Sequence, residues 1–130
     1  MRRKVWSVNA LKLSGVVLDS PDPHALAAFY RRLLGWEVET SEPDWVKLVP
    51  PGGGTGISFQ PEPDYVPPVW PTRPGRQQMM LHLDIEVDDL VRASAAAVEA
   101  GAAMAEHQPQ DDVRVFFDPV GHPFCLWVRT

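Results

Sequence analysis

The residues able to do chemistry gather in two short runs. In Leu81-His82-Leu83-Asp84-Ile85-Glu86-Val87, polar and apolar residues alternate with period two. An extended strand therefore sets His82, Asp84 and Glu86 on one face and the four apolar side chains on the other. An imidazole flanked by carboxylates titrates near neutral pH, which makes His82 with Asp84 a candidate general acid–base pair. The plain alternative is a solvated cluster near a strand end, above all for Glu86. The second run, Pro123-Phe124-Cys125-Leu126-Trp127-Val128, alternates in the same way and sets Cys125 and Trp127 on one side. Cys125 near a histidine has the makings of a nucleophile pair, but no orienting third group or oxyanion hole is evident. An isolated cysteine in an apolar strand reads as packing.

The elements that must position these residues are legible in turn chemistry and periodicity. Residues 13–19 form a β-branched, apolar strand that stops at Ser20-Pro21-Asp22-Pro23. Asp22 is an N-cap and Pro23 suits the first helical position. Leu26, Phe29, Tyr30, Leu33 and Leu34 then fall on one helix face, and Gly35 ends the helix. Strands follow at about 36–40, 45–49 and 56–60, with glycines 52–54 turning the chain between the last two. In the second half, 81–87 is a strand, Asp88-Asp89 a cap, and 90–100 an alanine-rich helix ending at Gly101. Strands at 113–117 and 123–128 are joined by the tight turn Asp118-Pro119-Val120-Gly121. His122 sits in this turn and His24 in the first helical turn, so both are expected to be solvated; His107 lies in a polar loop.

An offset of 67 residues relates the halves, aligning Asp22 with Asp89, Val46-Lys47-Leu48 with Val113-Arg114-Val115, Gly54 with Gly121, and Ile57-Ser58-Phe59 with Phe124-Cys125-Leu126. The reading is a duplicated βαβββ unit, residues 11–60 and 80–129, in one domain spanning 1–130. Between the units lies a proline-rich crossover, 61–79, that is either a stiff linker anchored by Trp70 or a lid over a site. Tyr65 and Trp70 favour a packed loop, since a solvated linker gains nothing from aromatic rings.

The chain as a whole narrows the partners. A formal charge of −5, with no cluster of Lys and Arg beyond Arg2-Arg3-Lys4, argues against nucleic acid. The segment after that basic run is too short and polar for a signal peptide, and no stretch approaches the roughly 18 apolar residues of a membrane span. A single cysteine forbids an intrachain disulfide and suits a cytoplasmic location. The 14 prolines in 130 residues exceed the usual ~5% and must shape the loops.

Four segments, in this order, carry a family resemblance: Leu18-Asp19-Ser20-Pro21-Asp22-Pro23, Phe29-Tyr30-Arg31-Arg32-Leu33-Leu34-Gly35-Trp36, His82-Leu83-Asp84-Ile85-Glu86-Val87-Asp88-Asp89-Leu90 and Asp118-Pro119-Val120-Gly121-His122-Pro123-Phe124-Cys125-Leu126. Over residues 11–129 the chain resembles the glyoxalase, bleomycin-resistance and extradiol-dioxygenase superfamily, also called vicinal oxygen chelate, and within it a compact glyoxalase-like subgroup. The resemblance implies an α+β fold in which two tandem βαβββ units form an eight-stranded open cup with helices packed outside, often shared across a homodimer. It also implies metal-ligand positions on the first and last strands of each unit, which here are Gly15, Ser58, His82 and Cys125. Glyoxalases usually carry His, Gln or Glu there, so only His82 matches. Zinc sites use three or four protein donors, and closing a shell around His82 and Cys125 would call on Asp84 or Glu86. The expectation is accordingly a degenerate site without a metal cofactor, Zn²⁺, Ni²⁺ or Fe²⁺ being the exceptions to test. The cup would hold a small organic molecule, lined by His82, Asp84, Cys125, Trp127, Ser58 and Trp70, and its acidic row would suit a cation. The competing expectations are a lyase, isomerase or dioxygenase, metal-dependent or using His82 for proton transfer, and a non-catalytic dimer with a filled cup.

Overall fold

A computed structural model describes residues 10–129, so the basic run at 2–4 lies outside the described residues. The element order is β1 (Gly15–Ser20), α1 (Pro23–Leu34), β2 (Glu37–Glu42), β3 (Trp45–Val49), β4 (Gly56–Pro61), β5 (Leu83–Glu86), α2 (Leu90–Ala100), β6 (Ala103–Met104), β7 (Val113–Phe117) and β8 (Pro123–Trp127). The fold is α+β with two βαβββ units. The eight strands divide into two four-stranded sheets, ordered β1-β4-β3-β2 and β5-β8-β7-β6.

The duplication extends to hydrogen-bond register. In each unit the first strand runs parallel to the last, and each of its residues pairs with the residue 41 positions later: Gly15 with Gly56, Leu83 with Phe124. Because side chains alternate along a strand, this common register puts Ser58 level with Val17, and Cys125 level with Asp84.

Both helices start where a carboxylate can satisfy an orphan amide. The Asp22 Oδ1 accepts from Ala25 N at 3.1 Å and the Asp89 Oδ1 from Arg92 N at 3.0 Å. Helix α1 ends at Gly35, whose φ of 70° is the left-handed conformation that glycine adopts without steric cost, and its N–H returns to the Arg31 carbonyl. Arg32 reaches the C-terminal end of α2, donating to the Ala100 carbonyl from Nε at 3.2 Å and Nη2 at 2.8 Å, which ties the units together where the helix dipole is negative.

One core serves both units. Phe29 and Tyr30 of α1, Phe59 of β4, Phe116 of β7 and Phe124 of β8 are all fully buried. Tyr30 stacks on Phe59 with centroids 5.7 Å apart, and Phe29 meets Phe124 at 6.1 Å. Burial of each ring contributes on the order of 1.5–3 kcal/mol. The positions of α2 that correspond to these aromatics are alanines, and Ala97 is wholly buried, so the second helix offers the small face that lets the first fill the centre.

Two local expectations are corrected. Strand β5 begins at Leu83 rather than Leu81, because pairing with β8 starts at Phe124. Leu81 is therefore half exposed instead of packed on the core. The second strand of the repeated unit shrinks to the pair Ala103–Met104, too short to register as alternation.

Candidate functional site

The row of polar residues singled out on the second sheet forms a real cluster. His82 Nε2 lies 3.2 Å from Asp84 Oδ1, and Asp84, level with Cys125 in the register, accepts a hydrogen bond from its thiol. Burial first, and then the Asp84 charge and hydrogen bond, push the Cys125 thiol up from 9.0 to about 11. A thiol so held is protonated at neutral pH, which is the opposite of nucleophile activation. Glu86 turns to other partners: Arg129 Nη2 donates to its Oε1 at 3.1 Å while the guanidinium lies 5.2 Å from the centroid of the Trp127 ring. Trp127 is level with Glu86, one step along the strand from the cluster.

The donors His82, Asp84 and Cys125 all lie within 4.8 Å of one another and form a group able to hold a metal ion. Of the four positions expected to ligate, two bring nothing to it. Gly15 has no side chain, and a Cβ there would fall 3.9 Å from Ser58 Oγ, so this pair belongs together on the first sheet. Ser58 itself is 2% exposed. Asp84, not one of those four positions, supplies the third donor. One N, one O and one S suit zinc, provided the Cys125 proton is displaced.

A cavity of about 380 Å³ lies elsewhere, between β1, the proline-rich crossover and the start of β8. That is within the range of small-molecule sites. Val17 and Asp19 come from β1, Glu62, Tyr65 and Leu81 from the crossover and the segment after it, and His122 from the turn before β8. Three carboxylates, Asp19, Glu62 and Asp64, line it and, among the described residues, no Lys or Arg does, so the described lining is acidic. Gln60 Nε2 holds Asp19 with a 2.8 Å hydrogen bond. The start of the crossover is tied to β1 by Glu62 N–H to the Ser20 carbonyl, 2.9 Å, and the crossover closes on itself through Val69 N–H to the Gln77 carbonyl, 2.8 Å. Pro67 also packs on Gly121, where φ is 100° and an added Cβ would stand 3.0 Å from the Pro67 ring. Of the residues expected to line a site, Trp70 packs on the His107 ring, 5.6 Å between centroids, and neither it nor His82, Asp84, Cys125, Trp127 or Ser58 lines this cavity.

The turn at 118–122 is more than a reversal. The Asp118 side chain is completely buried. Its Oδ1 accepts from the Val120 and His122 amides, both at 3.0 Å, and its Oδ2 meets the Tyr30 hydroxyl at 2.8 Å and His122 Nδ1 at 2.7 Å. His122 is thus not solvated: its side chain is 15% exposed and its ring faces Tyr65 at 5.0 Å. The Tyr65 hydroxyl is buried without a hydrogen-bond partner among the described residues. Burial, then Asp118, then Asp19 drive its ionisation well upward, so it remains a donor. Sequence patterns missed this site because its residues come from segments far apart, one of them without periodicity. The available signal was Asp118 and His122 in one turn, with acids around Tyr65.

Comparison with known proteins agrees with this architecture. The glyoxalase-like domain model matches residues 15–127. Structural neighbours include a glyoxalase/bleomycin resistance protein/dioxygenase family enzyme from Burkholderia phytofirmans PsJN (TM-score 0.72, 18% identity, covering 91% of this chain and 98% of that one). A glyoxalase/dioxygenase from Nostoc punctiforme has a TM-score of 0.69 and 22% identity over 100% and 99% of the two chains. An antibiotic binding protein from Streptomyces sp. CB03234 has a TM-score of 0.65 and 19% identity over 95% and 100%. At these identities the likeness is one of fold. No curated protein matches the chain. Among the described residues no helix is long and apolar enough to cross a membrane. With the family model covering almost its whole length, the chain belongs to the glyoxalase-like domain family.

Proposed function

We propose that the protein binds a small cationic organic molecule in the cavity beneath the proline-rich crossover. The carrying observation is the cavity itself: about 380 Å³, walled by apolar side chains and three carboxylates, with no Lys or Arg among the described residues that line it. An organic cation places its apolar body against Val17 and Leu81 and its charge beside Asp19 and Glu62, with the Tyr65 ring as an aromatic face. That a neighbour of the same fold is an antibiotic binding protein supports small-molecule binding as a use of this scaffold, though not the ligand. Calorimetric titration with a panel of hydrophobic amines and their uncharged isosteres tests the reading. Amines bind and isosteres bind at least about tenfold more weakly, with Asp19→Asn plus Glu62→Gln abolishing the difference. Equal affinity for both, or none for either, contradicts it.

The three-donor cluster favours a second reading, a divalent-metal site at His82, Asp84 and Cys125. A bound Zn²⁺ would supply Lewis acidity there, and the two sheet-borne carboxylate and thiol groups would orient it. Elemental analysis of protein dialysed against Zn²⁺ reads this out: one equivalent that His82→Ala removes supports the site, and no uptake eliminates it.

A further inference from the structure

We propose that the groove between α1 and the edge strand β2 binds an organic oxyanion, a phosphate ester or carboxylate carried on an apolar body. It shares no residue with the cavity beneath the crossover and stands independently of the cation reading there. The groove measures about 540 Å³, within the range of small-molecule sites. Ala27 and Ala28 leave α1 without bulk on this side, and Val38 and Val46 give the groove an apolar floor. His24 and Arg31 lie on one face of the helix, roughly 10 Å apart along its axis, and mark the two ends.

Both ends are fixed without losing their charge to a carboxylate. His24 Nε2 lies 2.8 Å from the Glu42 carbonyl, which ties the start of α1 to β2. Arg32 is held by the Ala100 carbonyl, an uncharged acceptor. Among the described residues no carboxylate lines the groove, and none pairs with Arg31 or Arg32. In a chain of formal charge −5 this lining is the exception. The planar fork of Arg31 matches two oxygens of a phosphate or carboxylate, and the Ser41 hydroxyl adds a donor on the opposite wall.

A β-bulge keeps carboxylates out. Strand β2 reads Glu-Val-Glu-Thr-Ser-Glu, and strict alternation from Val38 would send Thr40 and Glu42 to the helix side. The register instead shifts between Val38 and Thr40. Val38 is level with buried Leu48, and Ser41 with buried Val46, so Val38 and Ser41 take the helix side. Glu42, level with Trp45, takes the other face, and Glu39 turns to Lys47 at 3.7 Å. The extra residue thus re-aims a hydroxyl, in place of a carboxylate, into the groove.

The second unit repeats the groove with the charges exchanged. Moved on by 67 residues, His24, Ala27, Ala28 and Arg31 become Val91, Ser94, Ala95 and Val98, and all four line the groove on α2. Among the described residues there, the one cation is Arg114, whose Nη1 folds back on the Gln110, Asp111 and Val113 carbonyls. The fold therefore supplies the groove twice, and the sequence places His24 and Arg31 in only one copy.

The probes are phenyl phosphate and phenylacetate, with benzyl alcohol and inorganic phosphate as partners lacking the charge or the apolar body. Amide chemical shifts of the full chain read out where each binds. At least one organic anion should shift Ala27, Ala28, Arg31 and Ser41 saturably, with a Kd below about 1 mM. The tighter of the two names the headgroup. Benzyl alcohol and inorganic phosphate should bind at least about fivefold more weakly, as should the anion to Arg31→Gln. Ser41→Glu, which restores a carboxylate to the groove, should weaken it as much, both exposed variants keeping the wild-type spectrum elsewhere. The α2 groove is the internal control: Val91 and Ala95 should not move. No saturable shift with either anion, unchanged affinity in Arg31→Gln, or inorganic phosphate binding as tightly as phenyl phosphate overturns the proposal. Equal shifts at Val91 and Ala95, or shifts at Val17 and Leu81 in place of the groove, overturn it as well.

Discussion

Replacing Tyr30 by phenylalanine isolates one atom at the hub of both units. The ring keeps its stacking on Phe59 at 5.7 Å and its edge contact with Phe29 at 4.8 Å, so packing is retained and no cavity larger than a hydroxyl opens. What disappears is the 2.8 Å hydrogen bond to a carboxylate with zero exposure. Hydrogen bonds to charged groups contribute about 1.5–3 kcal/mol, and a buried acceptor cannot recover the loss from water. Asp118 keeps its other three donors, which sets the upper bound: its charge is weakened in support, not stranded. The expected loss is therefore about 1.5–3 kcal/mol, or a fall in Tm of roughly 5–15 °C for a domain of this size. Urea denaturation with an unchanged m-value is the assay. A loss below about 0.5 kcal/mol means the hydroxyl is not engaged with a buried charge. A loss above about 5 kcal/mol means the ring itself has been displaced, and either result refutes the reasoning.

Other perturbations reach the remaining parts of the structure. Phe124→Ala removes a ring in contact with Phe29, Tyr30 and Phe116 and should cost about 3–5 kcal/mol by denaturant titration. Gly121→Ala puts a side chain at φ 100° against Pro67; it should cost about 1–3 kcal/mol and speed amide hydrogen exchange at Tyr65 and Val69 by loosening the crossover. Alkylation of Cys125 by iodoacetamide should reach half its maximal rate near pH 11, about where its thiol titrates, and Asp84→Asn should bring that midpoint down; a midpoint at 9 or below in the wild type contradicts the contact. Burial, above all, raises the Cys125 thiol and the Tyr65 and Tyr30 hydroxyls above their ordinary values of 9.0 and 10.0. Raised folded-state values stabilise the fold fully below the unfolded values, so the urea midpoint should hold from neutral pH to about 9 and fall as pH rises through about 11 and beyond. Cys125→Ser should remove the earliest part of that fall.

The elements most legible in the chain were those with local signals. Asp22, Pro23 and Gly35 bracket α1, and β3, α2 and β7 occupy the expected 45–49, 90–100 and 113–117. The 67-residue offset, drawn from a few landmarks, reappears as a shared strand register, because duplicated units that bury the same faces must pair alike. Period-two alternation also brought His82, Asp84 and Cys125 to one face. Strand β6 carries no sequence signal because two residues cannot show a period, and alternation puts Leu81 on the core face because it does not reveal where pairing begins. The cavity was illegible for a different reason. Asp19, Tyr65 and His122 are far apart in sequence, and only tertiary packing brings them around one space. His122 looked solvated because a turn is normally exposed, and nothing local reveals that Asp118 within it is buried under Tyr30.

The proposed ligand site lies beneath the crossover. Chemical-shift mapping with the tightest-binding hydrophobic amine tests it most directly, with backbone and histidine side-chain resonances followed to saturation. Shifts are expected to cluster at Val17, Asp19, Tyr65, Leu81 and His122. Shifts clustered instead at His82, Asp84, Cys125 and Trp127 would contradict it and return the site to the face of the second sheet.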